Sequence, residues 1–560
     1  MPDTARLEAL LRRIDGAPYN RLHALKGRWQ LGDLVLEVDH VQGDPFAAPS
    51  ALRLTTQTGI DPAWCADPGD RVAAEDWLLR RFGADLDGPR LGSGRSGELA
   101  IYRPGPEITR RSALRLHPDG RAEVRMGVGL PARGRRILGE AAFGLLTRIL
   151  PTAAGQIQGV GGDAGLWAQV GSVRRQRALR AQLVPRGLVA FVADGSVLPR
   201  ASGVDPAPLA GAVPFEAPST LTVTLDGPAG PVRGLGLPAG VTLITGGGFH
   251  GKSTLLQALQ HGHLDHVSGD GREGVVSVAD TVKVRAEDGR SVASVDVSAF
   301  LSGLPGGTPT RPFSTRDASG STSQAASIVE AIESGARLLL LDEDTSATNL
   351  LVRDARMAAL IPPALEPITP LVGRARQLWE DAGVSVVMVV GGVGDFLAVA
   401  DRVVGMRAWQ AVDLTLEAEA VAGPAPVPPG PWPAPLSRAP LPEGLTPSGR
   451  GRVRARDADR VDMGHDVLDL SAVEQVLDRA HAATLGHALR VLVSADCVDG
   501  RATVSEALDA LEAHLERGGL DALSPFDRPI GDLVWPRRHE VAAALNRHRA
   551  LRVRAPSEAP

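Results

Sequence analysis

Residues 241–256 read VTLITGGGFHGKSTLL, and the order of residue types in this stretch decides the fold. The apolar run Val241–Thr245 has the length and composition of a buried strand, and the segment from Ser253 onward has the periodicity of a helix. Between them, Gly246, four further residues and the triplet Gly251-Lys252-Ser253 match the phosphate-binding loop. A strand, a glycine-rich loop and a helix in this order predict a nucleotide-binding α/β domain with a parallel sheet.

The residue types of the loop fit phosphate chemistry. Glycines let backbone N–H groups turn towards the phosphates, and the helix N-terminus adds a partial positive charge. Lys252 is one of only three lysines, with Lys26 and Lys283, and its compact ammonium can enter a ring of amides where a planar guanidinium does not fit. We therefore expect the hydroxyl of Ser253 to bind Mg²⁺, Lys252 to contribute to catalysis, and the nucleotide to be bound by Gly246, Gly247, Gly248, Gly251, Lys252, Ser253 and Thr254. The alternative is a glycine-rich turn without a ligand.

A second nucleotide-site motif follows in LLLLDEDTSATN, residues 338–349. Its four leucines suit a central buried strand that ends at Asp342 and Glu343. A carboxylate at that edge can hold the water shell of Mg²⁺, and a second one beside it can orient and deprotonate an attacking water. We assign Asp342 to the metal and Glu343 to general-base catalysis; the alternative is a solvated strand end.

The composition is that of a multidomain globular protein. A chain of 560 residues, 43% hydrophobic and 22% charged, is long enough for several hydrophobic cores. The pattern of segments predicts an N-terminal α+β domain with arginine-rich stretches (1–210), a nucleotide-binding core (211–420), a proline-rich and basic linker (421–456) and a small helical domain (457–560). Prolines are dense between Pro424 and Pro447, which predicts an extended, irregular linker.

Two helices are expected in the last segment. Ser471 with Glu474 has the pattern of a capping box and predicts a helix that opens there. A second helix is predicted from an apolar stripe that glycines end, formed by Val504, Leu508, Leu511 and Leu515 and followed by Gly518 and Gly519.

Several classes of protein are excluded by composition. Only Cys65 and Cys497 are present, so neither a disulfide framework nor a structural zinc site is supported. No apolar run approaches the ~18 residues that suggest a membrane span, and the N-terminus lacks the apolar region of a signal peptide. We expect a soluble, cytoplasmic protein without a membrane partner. The formal net charge of −5 means that a nucleic-acid partner would require a local basic patch.

The segment between the two motifs narrows the class of nucleotide-binding protein. In ASGSTSQAASIVEAIE, residues 318–333, Ser319, Gly320, Ser321 and Gln324 resemble the signature of ABC-class ATPases. Residues 346–349 resemble the D-loop of that class. The resemblance implies that the signature of one subunit closes on ATP held by the phosphate loop of another, in an ATP-dependent head-to-tail homodimer. A helix N-cap built from Ser and Thr oxygens is the alternative interpretation.

Longer stretches resemble one family within this class. GGGFHGKSTLLQALQ, ASGSTSQAASIVEAIE, LLDEDTSATNLLVRD and EPITPLVGRARQLWE, with YRPGPEITRRSA and VGLPARGRRILG near the N-terminus and, more loosely, HEVAAALNRHRAL near the C-terminus, are similar to the predicted soluble ABC-class ATPases. The resemblance implies an α/β P-loop NTPase of the ABC class, flanked by an α+β N-terminal domain and a small helical C-terminal domain. It also implies ATP and Mg²⁺ as ligands, and some members of the family are associated with RNA processing.

Two features of ordinary ABC ATPases have no counterpart here. The strand VSVVMVV ends in Gly391 and Gly392, where a transporter ATPase carries its switch histidine, so slow hydrolysis is expected. No glutamine loop is evident between Lys252 and Ser319. The segments GDGREG (269–274) and RAEDGR (285–290) occupy that interval and are expected near the metal or the partner subunit.

Two stretches are rich in arginine. One lies between Arg103 and Arg136, and the other contains Arg537, Arg538, Arg547, Arg549, Arg552 and Arg554. Such stretches can follow the phosphates of RNA or of another single-stranded nucleic acid, or they can be solvated or paired within the fold. Three functions remain open: an ATPase coupled to nucleic acid, a nucleotide-gated protein scaffold with slow hydrolysis and, less favoured, the nucleotide-binding subunit of a transporter.

Overall fold

The computed structural model of the chain describes residues 1–84, 86–362, 365–428, 430–445 and 452–554. Two compact units are present. Unit 1 contains residues 1–174 and 520–535, and unit 2 contains the described residues of 175–519 and 536–554. The four segments predicted from the sequence stay a prediction, and residues 429 and 446–451 of the predicted linker lie outside the described residues. No helix in the described ranges has the length and apolar character needed to cross a bilayer.

Fourteen α-helices occur among the described residues. They are α1 Thr4–Arg13, α2 Pro68–Gly83, α3 Gly139–Gly144, α4 Leu150–Gly155, α5 Ala164–Ala181, α6 Lys252–His261, α7 Gly320–Glu333, α8 Thr348–Leu351, α9 Ala355–Leu360, α10 Ala375–Glu380, α11 Thr415–Val421, α12 Arg479–Ser494, α13 Val504–Gly518 and α14 Arg538–Arg547.

The described strands are mostly short. They are β1 Gly27–Leu31, β2 Leu34–His40, β3 Ser50–Gln57, β4 Leu99–Ala100, β5 Glu107–Ile108, β6 Leu114–Leu116, β7 Arg121–Val128, β8 Ala132–Arg133, β9 Arg136–Ile137, β10 Leu188–Ala193, β11 Thr222–Gly227, β12 Gly230–Pro238, β13 Val241–Thr245, β14 Asp265–His266, β15 Val275–Ser277, β16 Thr281–Lys283, β17 Arg290–Val295, β18 Phe313–Ala318, β19 Leu338–Asp342, β20 Ser385–Val389, β21 Arg402–Arg407, β22 Gln410–Asp413, β23 Ala439–Pro440, β24 Val453–Ala455, β25 Arg460–Met463, β26 Asp466–Asp469 and β27 Val553–Arg554.

Unit 1 is built on an antiparallel sheet of order β1-β2-β3-β7-β4, with β6 also paired to β7. Strands β2 and β3 alternate buried and half-buried residues, which is the pattern of a sheet with one face on a core. Residues 520–535 belong to this unit through backbone hydrogen bonds: the Ser112 amide donates to the Leu533 carbonyl (2.9 Å) and the Trp535 amide to the Arg110 carbonyl (2.9 Å).

Unit 2 contains the predicted parallel sheet. Its strand order is β16-β19-β20-β13-β21-β22, with parallel pairing up to β21 and an antiparallel β22 at the edge. An antiparallel sheet of order β11-β12-β10-β15 and a small three-stranded sheet of β24, β25 and β26 complete the unit together with short two-stranded pairs.

The central sheet is buried on both faces. Leu339 and Leu341 of β19 pack with α7, whereas Leu338 and Leu340 pack on the opposite face with α6. Because neighbouring residues of a strand point to opposite faces, a strand between two layers of helices must be apolar throughout. The predicted central strand is therefore confirmed, and this buried strand places Asp342 at its carboxyl end.

One helix prediction in the C-terminal segment is wrong. No helix opens at Ser471, whose hydroxyl donates to Asp469 (2.6 Å); α12 begins at Arg479 and is capped by Asp478. The Glu474 carboxylate instead lies near Arg285 (3.4 Å) and Lys283 (3.8 Å), so it is not free to cap a helix. The helix predicted over Val504–Leu515 is confirmed as α13, which Thr503 and Glu506 open with a capping box.

The C-terminal segment also covers the edge of the central sheet at strand β16. The Gln475 side chain accepts from the amide of Lys283 (3.0 Å) and donates to the carbonyl of Thr281 (3.1 Å), and Arg537 donates to the carbonyls of Ala279 (2.7 Å) and Thr281 (3.2 Å). These contacts satisfy backbone groups that an edge strand leaves unpaired.

The proline-rich stretch is irregular between residues 422 and 438 where described, as expected, but it is anchored at its end. Arg438 is fully buried, pairs with Glu333 and donates to the carbonyl of Ala293 (2.7 Å) and to Asn546 (2.9 Å). Trp432 packs edge-on against Phe300. This part of the chain is therefore packed on unit 2 and does not behave as a free tether.

Candidate nucleotide-binding site

The predicted loop and the predicted carboxylates lie at one edge of the central sheet. Ile244 of β13 is in register with Val389 of β20, and Val389 is in register with Asp342 of β19. All three strands are parallel, so their carboxyl ends meet at the same edge, with roughly 10 Å between the outer two. Ligands of open α/β sheets bind at such an edge.

The phosphate-binding loop is shaped by two glycines. Gly246 has φ 136°, and a Cβ there would lie 2.3 Å from the carbonyl oxygen of Met406. Gly251, with φ 97°, is the N-cap residue of α6. At each of these two positions, any other residue would have a strained backbone and a clashing Cβ. The curvature of the loop therefore depends on glycine.

Lys252 points into the loop that it closes. Its Nζ donates to the carbonyl oxygens of Gly246 (2.8 Å) and Gly247 (2.9 Å). Ser253 is exposed and Thr254 half-buried in the first turn of α6, where helix amides have no partner within the helix. An ammonium, a helix N-terminus and exposed loop glycines together fit a polyphosphate.

The two carboxylates after β19 are held differently. Asp342 is buried and accepts a hydrogen bond from the amide of Asp344 (3.2 Å). Glu343 is half-buried, and its Oε2 accepts from the amides of Gly391 (2.6 Å) and Gly392 (3.0 Å), which follow β20. The oxygens of Asp342 and Ser253 are the ligand type that Mg²⁺ prefers, so these residues fit a metal bound together with a nucleotide.

The signature-like residues form one unit with the D-loop-like residues. Ser319 is the N-cap residue of α7, and Gly320 and Ser321 open the helix. Gln324 is buried; its Nε2 donates to Ser346 Oγ (2.9 Å) and its Oε1 accepts from the Ala347 amide (2.8 Å). One buried side chain therefore joins the two segments through two hydrogen bonds.

Residues 285–290, RAEDGR, contact both of these segments. The amide of Ala286 donates to the carbonyl of Thr345 (2.9 Å), and the amide of Glu287 donates to Ser323 Oγ (2.9 Å). Buried Arg290 pairs with Glu330 of α7 (2.6 Å). Arg547 of α14 pairs with Glu287 (3.0 Å), which links the C-terminal helix to the signature segment.

Two other charged groups of unit 2 have shifted pKa values. Burial lowers the pKa of Lys283, and the nearby carboxylates Glu474 and Asp342 partly offset this. In GDGREG, burial alone would raise the pKa of Asp270, but hydrogen bonds from His266 (2.8 Å) and Arg200 (2.7 Å) outweigh it and hold the pKa at about 2. The GDGREG segment is thus anchored by a buried ionised carboxylate.

Sequence reasoning missed the turn between β21 and β22. Ala408 (φ 48°) and Trp409 (φ 65°) form it, and their amides donate to His250 Nδ1 (2.7 Å) and to the His250 carbonyl (3.2 Å) in the phosphate loop. The indole of Trp409 is 44% exposed and lies against Gly251, where a Cβ would be 2.8 Å from Trp409 Cδ1. Two-residue hairpin turns usually contain glycine, so the only signal for this turn in the sequence is the unusual pair without glycine.

The arginine-rich stretches separate into buried and exposed groups. Arg111 and Arg125 are buried in ion pairs with Asp76 (2.8 Å) and Asp521 (2.5 Å). In the C-terminal stretch, ion pairs or carbonyl contacts engage Arg537, Arg538, Arg547 and Arg549.

Three of the exposed arginines lie on the hairpin of β8 and β9. Arg133, Arg135 and Arg136 are exposed there. Hydrogen bonds from the amide of Tyr19 to the Arg135 carbonyl (3.0 Å) and from the amide of Gly16 to the Ile137 carbonyl (3.0 Å) join the hairpin to residues 12–28. We call this surface the basic face. Its exposed cationic side chains are Arg12 and Arg28, which pair with Glu8 and Glu37, and Arg13, Arg21, Lys26, Arg133, Arg135 and Arg136.

Three family models match successive parts of the chain. A model described as an ABC ATPase P-loop domain matches residues 162–428, and one described as the N-terminal region of ATPases of the ABC class matches residues 4–158. A third, described as the MRB1590 C-terminal domain, matches residues 452–554. An uncharacterised protein of Methanocaldococcus jannaschii is 35% identical over 197 residues, which are 32% of this chain and 42% of the relative. The match therefore spans less than half of the length of that relative.

Two solved structures are similar in part. One is cbiO1 of Clostridium perfringens, described as part of the ABC transporter complex cbiONQ, with 14% identity, a TM-score of 0.24 and coverage of 42% of this chain and 92% of that chain. The other is an ATP-binding cassette of an ABC transporter in its ADP conformation, with 11% identity, a TM-score of 0.25 and coverage of 42% and 94%.

Proposed function

The chain belongs to the ABC-class ATPase family, and from this premise we propose that it binds Mg²⁺ and ATP at the carboxyl edge of the central sheet and hydrolyses the nucleotide. The observation that carries the proposal is the placement of Lys252, Asp342 and Glu343 at one edge of three adjacent parallel strands. A cytoplasmic location stays a prediction.

Each residue has a role that follows from its position. Lys252 leaves the carbonyl oxygens of its own loop and binds the β- and γ-phosphates, and the loop glycines and Thr254 offer amides to the phosphate chain. Bound Mg²⁺, held by Ser253, Asp342 and phosphate oxygens, would neutralise charge on the phosphates. Glu343 accepts a proton from water as the water oxygen bonds to the γ-phosphorus. The bond to the β-phosphate oxygen breaks, and the products are ADP and phosphate.

The base of the nucleotide is proposed to lie beside Trp409. The γ-phosphate must face Glu343, on the β19 side of the phosphate loop, so the other end of the nucleotide extends towards β21 and β22. The half-exposed indole at the turn of these strands offers a flat face on which a base can stack.

The ATP-bound form is proposed to be a head-to-tail homodimer. Ser319, Gly320 and Ser321 at the N-terminus of α7 would complete the site of the other subunit. The bonds of Gln324, which is buried within its own chain, to the D-loop-like residues would transmit the closure. RAEDGR would carry it on to α14, since its residues contact both α7 and α14.

A nucleic acid, with single-stranded RNA favoured, is the proposed macromolecular partner. Support comes from the basic face, where cationic side chains from residues 12–28 and 133–136 are exposed together. Such a surface recognises backbone phosphates and does not require a particular base sequence.

The dimer is tested by sedimentation of Glu343→Gln protein with Mg²⁺ and ATP. Loss of the base stops hydrolysis and leaves the nucleotide bound, so we expect a dimer with ATP and a monomer without it. Adding Ser319→Arg places a bulky cation at the exposed N-cap position of the signature helix and should keep the protein monomeric. A Glu343→Gln protein that stays monomeric in saturating ATP would contradict the head-to-tail dimer.

A further inference from the structure

Two consecutive backbone amides hold the carboxylate after β19. The amides of Gly391 and Gly392 donate to the same oxygen, Glu343 Oε2, at 2.6 and 3.0 Å. Both glycines follow β20, the strand next to β19, and Asp342 is in register with Val389. The donors are therefore positioned by the sheet itself, without a side chain that must be ordered.

The two oxygens of this carboxylate are left in different states. Hydrogen bonds to an ionised group are among the stronger ones, and two of them on Oε2 fix the plane and direction of the carboxylate. A Cβ on Gly392 would lie 3.3 Å from Oε1, so a glycine at this position leaves open the space beside the second oxygen. One oxygen is anchored, and the other is accessible.

We propose that the Gly391 and Gly392 amides, which we call the amide clamp, position Glu343 for proton transfer by anchoring Oε2 and presenting Oε1 to the attacking water. This rests on the proposed role of Glu343 as general base. The proton of the water passes to Oε1, and the amides keep their own protons throughout. The clamp thus acts as a positioning element at the end of β20, a place where this chain has no histidine.

The clamp predicts that removal of one N–H slows turnover without weakening nucleotide binding. Gly391→Pro removes the donor of the shorter bond. The preceding residue, Val390, directly follows strand β20, and the extended backbone of a strand is the conformation favoured before proline. We expect kcat to fall roughly tenfold to a hundredfold, the scale of a lost hydrogen bond to a charged group, with an unchanged KM for ATP.

Matched variants separate the missing N–H from other effects. Gly391→Ala keeps the N–H, and its Cβ would be in ordinary contact with Oε2 at 3.9 Å, so its loss of kcat should be far smaller. Gly394→Pro places the same ring in the same loop at the first position of a 3₁₀ helix, where proline fits, and should turn over at the wild-type rate.

A double-mutant comparison distinguishes this inference from the function on which it depends. In a Glu343→Gln background there is no base to position, so Gly391→Pro should cause no further loss. A Gly391→Pro enzyme with wild-type kcat, or an equal fractional loss in both backgrounds, would overturn the clamp. If Glu343→Gln itself kept wild-type turnover, the proposed general base would fail first, and the clamp with it.

Discussion

At the scale of single residues, the site depends on small groups in fixed places. Lys252 is held by the carbonyls of Gly246 and Gly247, so its ammonium lies within the loop. Glu343 is held by amides in the same way. Both charged groups are therefore ordered by backbone atoms, so binding of the proposed nucleotide would not have to order either side chain, which lowers the entropic cost of binding.

The indole of Trp409 is expected to stack on the base of ATP. Trp409→Ala should weaken ATP binding by roughly 5- to 100-fold, the range for loss of one stacked base, and should leave binding of inorganic tripolyphosphate unchanged because that ligand has no base. Titration calorimetry with both ligands measures this. Trp409→Phe should restore most of the ATP affinity, and Trp379→Ala, which removes a similarly exposed tryptophan on α10, should have no effect.

Equal losses for ATP and tripolyphosphate would mean that Trp409 supports the loop and does not stack on the base. If Phe249→Ala weakened ATP binding and Trp409→Ala did not, the nucleotide base would instead be assigned to Phe249, whose ring is almost fully exposed.

At the scale of elements, local pattern predicted the strands and helices that carry the site. The run of four leucines and the glycine loop are local patterns that indicate local structure. For this reason β13, α6 and β19 could be found from short windows of sequence. The amide clamp could not, because it joins residues 48 positions apart through backbone atoms that carry no sequence signal.

The helix prediction at Ser471 is wrong for the same reason, because a contact between residues distant in the sequence decides the local structure. A capping box is a local motif, but Glu474 is bound by cations more than 180 residues away in the sequence, and that contact outweighs a cap. Arginine-rich stretches are ambiguous for a related reason. Arg125 and Arg133 look alike in sequence, yet one is buried against Asp521 and the other is exposed on a hairpin.

The element-scale prediction concerns the hairpin of β8 and β9. Replacing Arg133, Arg135 and Arg136 together with alanine should weaken binding of single-stranded RNA and reduce the steepness of its salt dependence, because each phosphate contact releases counterions. Fluorescence anisotropy with a labelled mixed-sequence RNA, from low to physiological salt, measures both quantities. The slope of log affinity against log salt should become shallower by about 2.

A control triple removes three exposed arginines elsewhere: Arg479, Arg501 and Arg517, all in the C-terminal part of unit 2. It should leave RNA affinity unchanged. Equal losses for the two triples would indicate attraction to overall charge, and an unchanged affinity for the hairpin triple would remove the basic face as the RNA site.

At the scale of the whole molecule, the family models account for most of the chain, and they do so in the order N-terminal region, P-loop domain and C-terminal domain. Within unit 2, residues of the C-terminal segment cover the edge of the central sheet and contact the RAEDGR segment. The ATPase core and the C-terminal segment are thus joined by buried ion pairs as well as by sequence. In the proposed dimer, this connection is the route by which closure at α7 would reach α14.

The proposed reaction is hydrolysis of ATP at this edge of the sheet, with Glu343 as the general base. Steady-state phosphate release by wild-type and Glu343→Gln protein, at saturating Mg²⁺ and ATP, tests it most directly. We predict measurable turnover for the wild type and a loss of roughly a hundredfold or more for Glu343→Gln, with ATP still bound. Wild-type turnover retained by Glu343→Gln would contradict the account.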